Sequence, residues 1–373
     1  MKKRMLALLL TIFVAFALVP AASAATEGTH SSAPDIRVYL DGKQVSTTVA
    51  PYIANGRTLI PIRAVTEALG AKVGWNDITK TVTITRAAKE IVMVIDDVYA
   101  EVNGERIELD VAPCITDGAT FLPLRFVSEQ FSQLVEWDGA DRSIRITENM
   151  SFVQEGSNIE AWILGCGAIL ARVNRLDPYK VGMFTRTAAN AAAERRSLSD
   201  SWSIDSREDL IQTILAMTDD GHAEQFFFDA ELANSFSDAE FKRLLEMSSD
   251  MDKYMWPLVK SLSAKWGDVG IKAWDWFRMI HLAEWGYIAG YLEFEEVYMF
   301  VKPVAQRLRD TFTSWDEATE NYMDGYAYWS RTDVSKENTS YKQRLKIYED
   351  LKAEQSTKGL LFDPDVWTQP VIG

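Results

Sequence analysis

The sequence predicts two domains of different class: a duplicated α+β module at the N-terminal end and an all-α helical domain at the C-terminal end. Three observations carry this. A motif near residue 50 recurs 62 residues later, β-type alternation stops near residue 150, and helix-capping signatures among dense aromatic residues follow. A chain of 373 residues, 47% hydrophobic and 25% charged, has core material for two or three globular domains.

The first element is a leader. Lys2-Lys3-Arg4 is a positive start, Met5 to Val19 is almost wholly apolar, and Ala22-Ser23-Ala24 has the small-x-small form of a signal-peptidase site. Residues 1–24 are therefore expected to be a cleaved signal peptide, followed by a flexible segment at 25–35. The apolar run is short for a span of about 20 residues. The stretch from Ala161 to Ala171 is shorter still and holds Gly165 and Gly167, so no transmembrane segment is expected in the mature chain. Removing the leader, with three cations and no acid, takes the formal charge from −15 to −18. Such a field repels phosphate backbones and argues against nucleic acid as a partner. Cys114 and Cys166 fall one in each domain, and the pattern is one of separate thiols rather than a disulfide framework.

The module is expected over 36–149, as repeats 36–86 and 98–147. Ala50-Pro51-Tyr52-Ile53-Ala54-Asn55-Gly56 recurs as Ala112-Pro113-Cys114-Ile115-Thr116-Asp117-Gly118, and the register holds through Pro61/Pro123, Arg63/Arg125, Glu67/Glu129 and Trp75/Trp137. Asp41-Gly42 and Asn103-Gly104 between apolar residues signal tight hairpins. Pro61 and Pro123 suit the start of a short helix, where the missing N–H costs nothing. Gly70 suits its left-handed end. Each repeat thus reads as hairpin, strand, helix, hairpin. Arg63 and Arg125, each four residues before an acid, read as helix-surface ion pairs, and Trp75 and Trp137 as caps on the core.

The run Gly56 to Trp75, Gly-x-Thr-Leu-Ile-Pro-Ile-Arg-x-Val-x-Glu-x-Leu-Gly-Ala-x-Val-x-Trp, resembles the copper amine oxidase N-terminal-like domain. The resemblance covers roughly 36–147. It implies an accessory, stalk-like piece of the kind found in tandem in secreted and wall-associated proteins of Gram-positive bacteria. Amine oxidase chemistry is not expected, since it needs a copper on three His and a Tyr converted to a quinone. The chain has three His in all, His30, His222 and His281, none paired as His-x-His. Asn321-Tyr322 is followed by Met323 where an acid would be required. No cofactor and no metal site are expected.

From about residue 158 the signals are helical. Ser237-x-x-Glu240 and Ser314-x-x-Glu317 are capping boxes, and Asp205 or Ser206 caps a further start, with Glu208 and Asp209 suited to the helix dipole. Helices are expected at about 158–174, 182–196, 206–219, 238–247, 250–264, 269–284, 293–311, 315–329 and 338–354. This gives a helical domain at 158–355 and a tail at 356–373 that Pro364 and Pro370 keep irregular. Three segments carry a second resemblance: Trp202-Ser203-Ile204-Asp205 to Gly221-His222, Ala273-Trp274-Asp275-Trp276-Phe277-Arg278 to Trp285-Gly286-Tyr287, and Phe312 to Trp329. They are similar to the bacterial family called domain of unknown function 1266, which implies no activity and no site residues.

The chemistry of this domain centres on one helical stripe. Trp274, Arg278, His281 and Trp285 follow at +4, +3 and +4, with Asp275 three residues before Arg278. His222, Asp275, Arg278 and His281 are the candidate catalytic residues. Trp274, Arg278, Trp285 and Tyr291 are the candidate ligand contacts, because an Arg between aromatic rings can hold an anionic group. The competing reading is a structural core, with Asp275 and Arg278 buried and linked, and with His222 past a helix end donating to its carbonyls. The sequence lacks Gly-x-Ser-x-Gly, His-Glu-x-x-His, a phosphate loop and Cys-x-x-Cys. The leading expectation is a non-catalytic protein, secreted or associated with the cell envelope. In it the stalk-like module presents a helical domain that binds a cell-wall polymer, peptide or protein. The alternative is an extracellular enzyme, a hydrolase, acting through the four candidate residues.

Overall fold

The chain is described by a computed structural model over residues 36–372, apart from 55, 152, 154–156, 219–220, 338 and 359–360. The expected signal peptide, the 25–35 segment and His30 lie outside the described residues.

The repeat read from sequence is a repeat of elements. The first copy runs β1 (Arg37–Leu40), β2 (Lys43–Val45), β3 (Tyr52–Ala54), β4 (Arg57–Pro61), α1 (Ile62–Ala68), β5 (Lys72–Asn76) and β6 (Thr81–Arg86). A further strand, β7 (Lys89–Val94), lies between the two repeats. The second copy follows as β8 (Tyr99–Val102), β9 (Glu105–Glu108), β10 (Cys114–Thr116), β11 (Ala119–Pro123), α2 (Leu124–Gln130), β12 (Gln133–Asp138) and β13 (Ser143–Glu148). Both residues of each tight turn have positive φ, 48° and 76° at Asp41-Gly42 and 50° and 83° at Asn103-Gly104.

The copies are interlocked. In the middle sheet, ordered β10-β11-β4-β3, Ile60 pairs with Leu122, its own equivalent, so a pseudo-twofold axis passes between them. The two end sheets each join the last hairpin of one copy to the first hairpin of the other. One is ordered β12-β13-β1-β2 with β13 parallel to β1; the other is β5-β6-β7-β8-β9. Ile60, Val65, Ile84, Leu122, Val127 and Ile146 are buried in the shared core.

The second domain is helical: α3 (Ile159–Val173), α4 (Ala188–Trp202), α5 (Arg207–Ala216), α6 (His222–Ser235), α7 (Asp238–Met247), α8 (Asp252–Trp266), α9 (Lys272–Ala289), α10 (Phe294–Thr311), α11 (Trp315–Ser330), α12 (Ser340–Lys358) and α13 (Asp365–Thr368). Helix α9 is buried along nearly its whole length and is central, touching α3, α4, α5, α6, α10 and α11. Caps at Ser237 and Ser314 form as expected, and of Asp205 and Ser206 it is Ser206 that caps α5.

Three expectations need correction. Helix α4 starts at 188 rather than 182, because Gly182 and Met183 have positive φ (72° and 67°) and Thr187 supplies the cap. Helix α6 was not expected at all, and His222 opens it instead of closing a preceding helix. The described residues from 361 on are no irregular tail: Asp365–Thr368 form α13. Trp367 packs on Trp162 and Trp315, with ring centroids 4.8 and 5.5 Å apart, Leu361 and Phe362 are buried, and Asn158 Nδ2 donates to the Pro370 carbonyl at 2.9 Å.

The module is docked on the helical domain. Arg86, at the end of β6 with its side chain 1% exposed, donates through Nε and Nη2 to the Glu293 carboxylate and through Nη1 and Nη2 to the carbonyls of Leu69 and Phe131. Arg186 approaches Glu293 to 3.6 Å and lies over the Tyr287 ring. Tyr287 donates its hydroxyl to Glu148, and the Ala87 amide donates to the Gly290 carbonyl at 2.7 Å. Glu293, at the start of α10, is thus an anchor between domains. Cys114 and Cys166 are both free thiols.

Candidate functional site

The site is built where α6 begins against the middle of α9. The Asp275 carboxylate accepts the backbone amides of His222 at 3.0 Å and Ala223 at 2.7 Å. An acid thus caps a helix N-terminus from 53 residues away, satisfying two donors that the local sequence leaves open. Gly221 lies so close that a Cβ there would strike this carboxylate.

Arg278 stands 3.6 Å from Asp275, and its guanidinium lies 4.5 Å from the centre of the Trp202 ring and 5.0 Å from that of Trp274. Burial pulls its pKa down to about 10, with Asp275 opposing, so the cation persists at neutral pH. Arg278 Nη1 lies 2.6 Å from His222 Nδ1. A guanidinium only donates, so in this pairing Nδ1 accepts, with Asp275 Oδ1 3.4 Å from the same nitrogen. The His222 side chain is 37% exposed and stands edge-on to Trp274 and Trp329 at 6.3 and 6.5 Å.

His222, Asp275, Arg278 and Trp274 therefore come together, and His281 does not join them. The His281 ring is buried, donates from Nε2 to the Cys166 carbonyl at 3.0 Å, and is held neutral because burial lowers its pKa to about 4. Trp285 borders the cluster through Trp202, at 6.3 Å. Tyr291 turns away and donates to the Asp205 carbonyl at 2.9 Å. Sequence reasoning missed Trp202 and Trp329 as members of the cluster. Both belong to the segments that carried the second resemblance, but nothing in their spacing ties them to α9. Asn321, next to Tyr322, spends its amide on Ala273 N and the Gly270 carbonyl, which is a helix-tying role.

The arrangement holds a fixed cation, a half-exposed imidazole donor and aromatic walls. Small concavities lie elsewhere, one beside Glu284 and one in the module core, and neither has room for more than about one water molecule. Among the described residues no group of three or more His, Cys, Asp or Glu is arranged to hold a metal ion.

The fold and the site define a two-domain chain, a duplicated sheet module joined to a helical domain with an aromatic-caged arginine. Residues 39–146 match the family model of the copper amine oxidase N-terminal domain, and residues 197–367 match that of protein of unknown function DUF1266. The chain carries these two domains in that order. It is 34% identical over 151 residues to the uncharacterized protein YbeU of Escherichia coli (strain K12), covering 40% of this chain and 64% of that one. It is 31% identical over 132 residues to the uncharacterized protein YbeR of the same organism, covering 35% and 56%. The chain spans less than two thirds of the length of these curated relatives, and neither name states an activity.

Proposed function

We propose that this is a non-catalytic binding protein, exported to the cell envelope or beyond. In this reading the helical domain takes an anionic group of a peptide, protein or wall fragment at the surface formed by His222, Trp202 and Trp329 over Arg278. The observation that carries it is the 2.6 Å approach of Arg278 Nη1 to His222 Nδ1. With Nδ1 occupied by Arg278, the ring offers a donor and no lone pair, which suits holding a carboxylate and does not suit a general base. Asp275 is likewise committed to two backbone amides, so it does not serve as a free base. The apolar leader ending in Ala22-Ser23-Ala24 supports export. The docked module fits a rigid platform better than a swinging stalk.

The test pairs two variants of the mature chain with short peptides that differ only in a free or amidated C-terminus. His222→Phe is expected to abolish tryptophan-fluorescence changes with the free-carboxylate peptide while lowering stability by only about 1–3 kcal/mol, because Arg278 Nη1 loses its acceptor. Asp275→Asn is expected to lower stability by about 3–5 kcal/mol, since it strands Arg278 and uncaps α6. Equal binding of both peptides by the parent and His222→Phe would overturn the reading. Export is checked by the N-terminal sequence of protein recovered outside the cytoplasm, expected to begin at Ala25.

A further inference from the structure

Glu284 lies in the middle of α9, one helical turn beyond His281, and is fully buried. One carboxyl oxygen, Oε1, accepts the Gly182 amide at 3.0 Å. The other, Oε2, is buried with no hydrogen-bond partner. It points at Gly167 of α3, where a Cβ would sit 3.0 Å away, so the helix has room for this oxygen because it carries no side chain there. A buried carboxylate with one bond is costly, whereas the protonated acid is tolerable.

The segment that Glu284 holds is the bridge to the other domain. Gly182 and Met183 sit in a tight reversal stitched by Met183 N to Lys180 O at 2.8 Å and Asp177 N to Met183 O at 3.1 Å. Four residues on, Arg186 enters the interface against Glu293 and Tyr287, and its chain packs on Gly70 of the module. Lys180, from the same segment, acts on Asp41 of the module. A change at Glu284 is therefore mechanically connected to the docking of the module.

We propose that Glu284 is a proton-operated latch on residues 177–187, which tightens the docking of the two domains when its carboxyl carries a proton and loosens it when that proton leaves. The groups that face it leave this titration to Glu284 itself. From α3, Cys166 is a thiol pushed well up by burial and by the Glu284 charge. From the bridging segment, Lys180 lines the same small void and bonds to Thr185 at 2.8 Å. From α9, His281 is neutral, and Tyr287 is held protonated far above its ordinary range by burial.

The sign follows from linkage. Burial raises the Glu284 pKa from 4.5 to about 8 in the closed state, while the opened segment returns it to its ordinary value. Opening is then least favourable below about pH 4.5, grows by up to about tenfold per pH unit between there and about 8, and levels off above. The latch is independent of the ligand-binding reading.

Hydrogen–deuterium exchange on the full mature chain tests it, with rates normalised to intrinsic exchange. Protection of the peptide spanning 177–187 is expected to fall steadily from pH 5 to 8 in the parent and to stay flat in Glu284→Gln, which keeps the shape of the protonated acid. A flat profile in the parent overturns the latch whether or not the variant folds. A parallel fall in parent and Glu284→Gln overturns it as well. So does a fall abolished by Glu148→Gln instead, since Glu148 is the other half-buried carboxyl at the interface.

Discussion

The two copies of the module have the same elements in the same order, and they end differently. Arg86 and Glu148 close equivalent strands, β6 and β13, 62 residues apart, and both face the helical domain. Leu69 and Phe131 are equivalent too, and Arg86 binds both of their carbonyls. The helical domain thus sits where the pseudo-twofold halves meet, and the duplicated position has diverged to opposite charges to receive it. Other equivalent pairs are matched in exposure. Trp75 and Trp137 are each 41% exposed, and Ile53 and Ile115 each 47%. A symmetric module would offer the same face twice; opposite charges at one equivalent pair define a single docking orientation.

The comparison breaks most sharply at Glu293. Glu293→Ala strands two buried guanidinium groups, Arg86 and Arg186, and is expected to cost about 3–5 kcal/mol in a denaturant melt. Arg86→Met should cost somewhat less, because Glu293 keeps Arg186 at 3.6 Å, although the Leu69 and Phe131 carbonyls lose a donor. On the other copy, Glu148→Gln should cost only about 1 kcal/mol. Burial already raises the Glu148 pKa, and an amide oxygen still accepts from Tyr287. A larger loss there than at Glu293 would reverse the assigned roles of the two ends. Trp75→Ala and Trp137→Ala should lower the melting temperature by equal amounts within error, and unequal losses would mean that one ring has a second task. The smallest effect belongs to Arg125→Ala, whose exposed pair with Glu129 spans 3.8 Å and should leave the melting curve unchanged.

Much of this architecture was legible because its signals are local. Hairpins at Asp41-Gly42 and Asn103-Gly104, prolines opening α1 and α2, and serine caps on α5, α7 and α11 follow from backbone geometry within a few residues. The link between Asp275 and Arg278 with Trp274 beside it was legible from helical spacing alone. Helix α6 was not, because its cap is the distant Asp275 rather than a neighbouring side chain. The same contact turned His222 from the expected end of one helix to the start of another. Likewise β7 falls between the two repeats and was not foreseen, since its place between β6 and β8 depends on partners from both copies.

The sequence by itself determined the class of each domain, the duplication and its register, and the set of residues on one stripe of α9, since periodicity and turn chemistry act over a few residues. Only the tertiary structure decided which of them meet. It set His222 and Trp202 against Arg278, sent His281 and Tyr291 elsewhere, folded the last residues into the core, and paired Arg86 with Glu293 across 207 positions of chain. Buried charges must find partners or leave the interior, and a partner is selected by the packing of whole helices and sheets rather than by distance along the sequence.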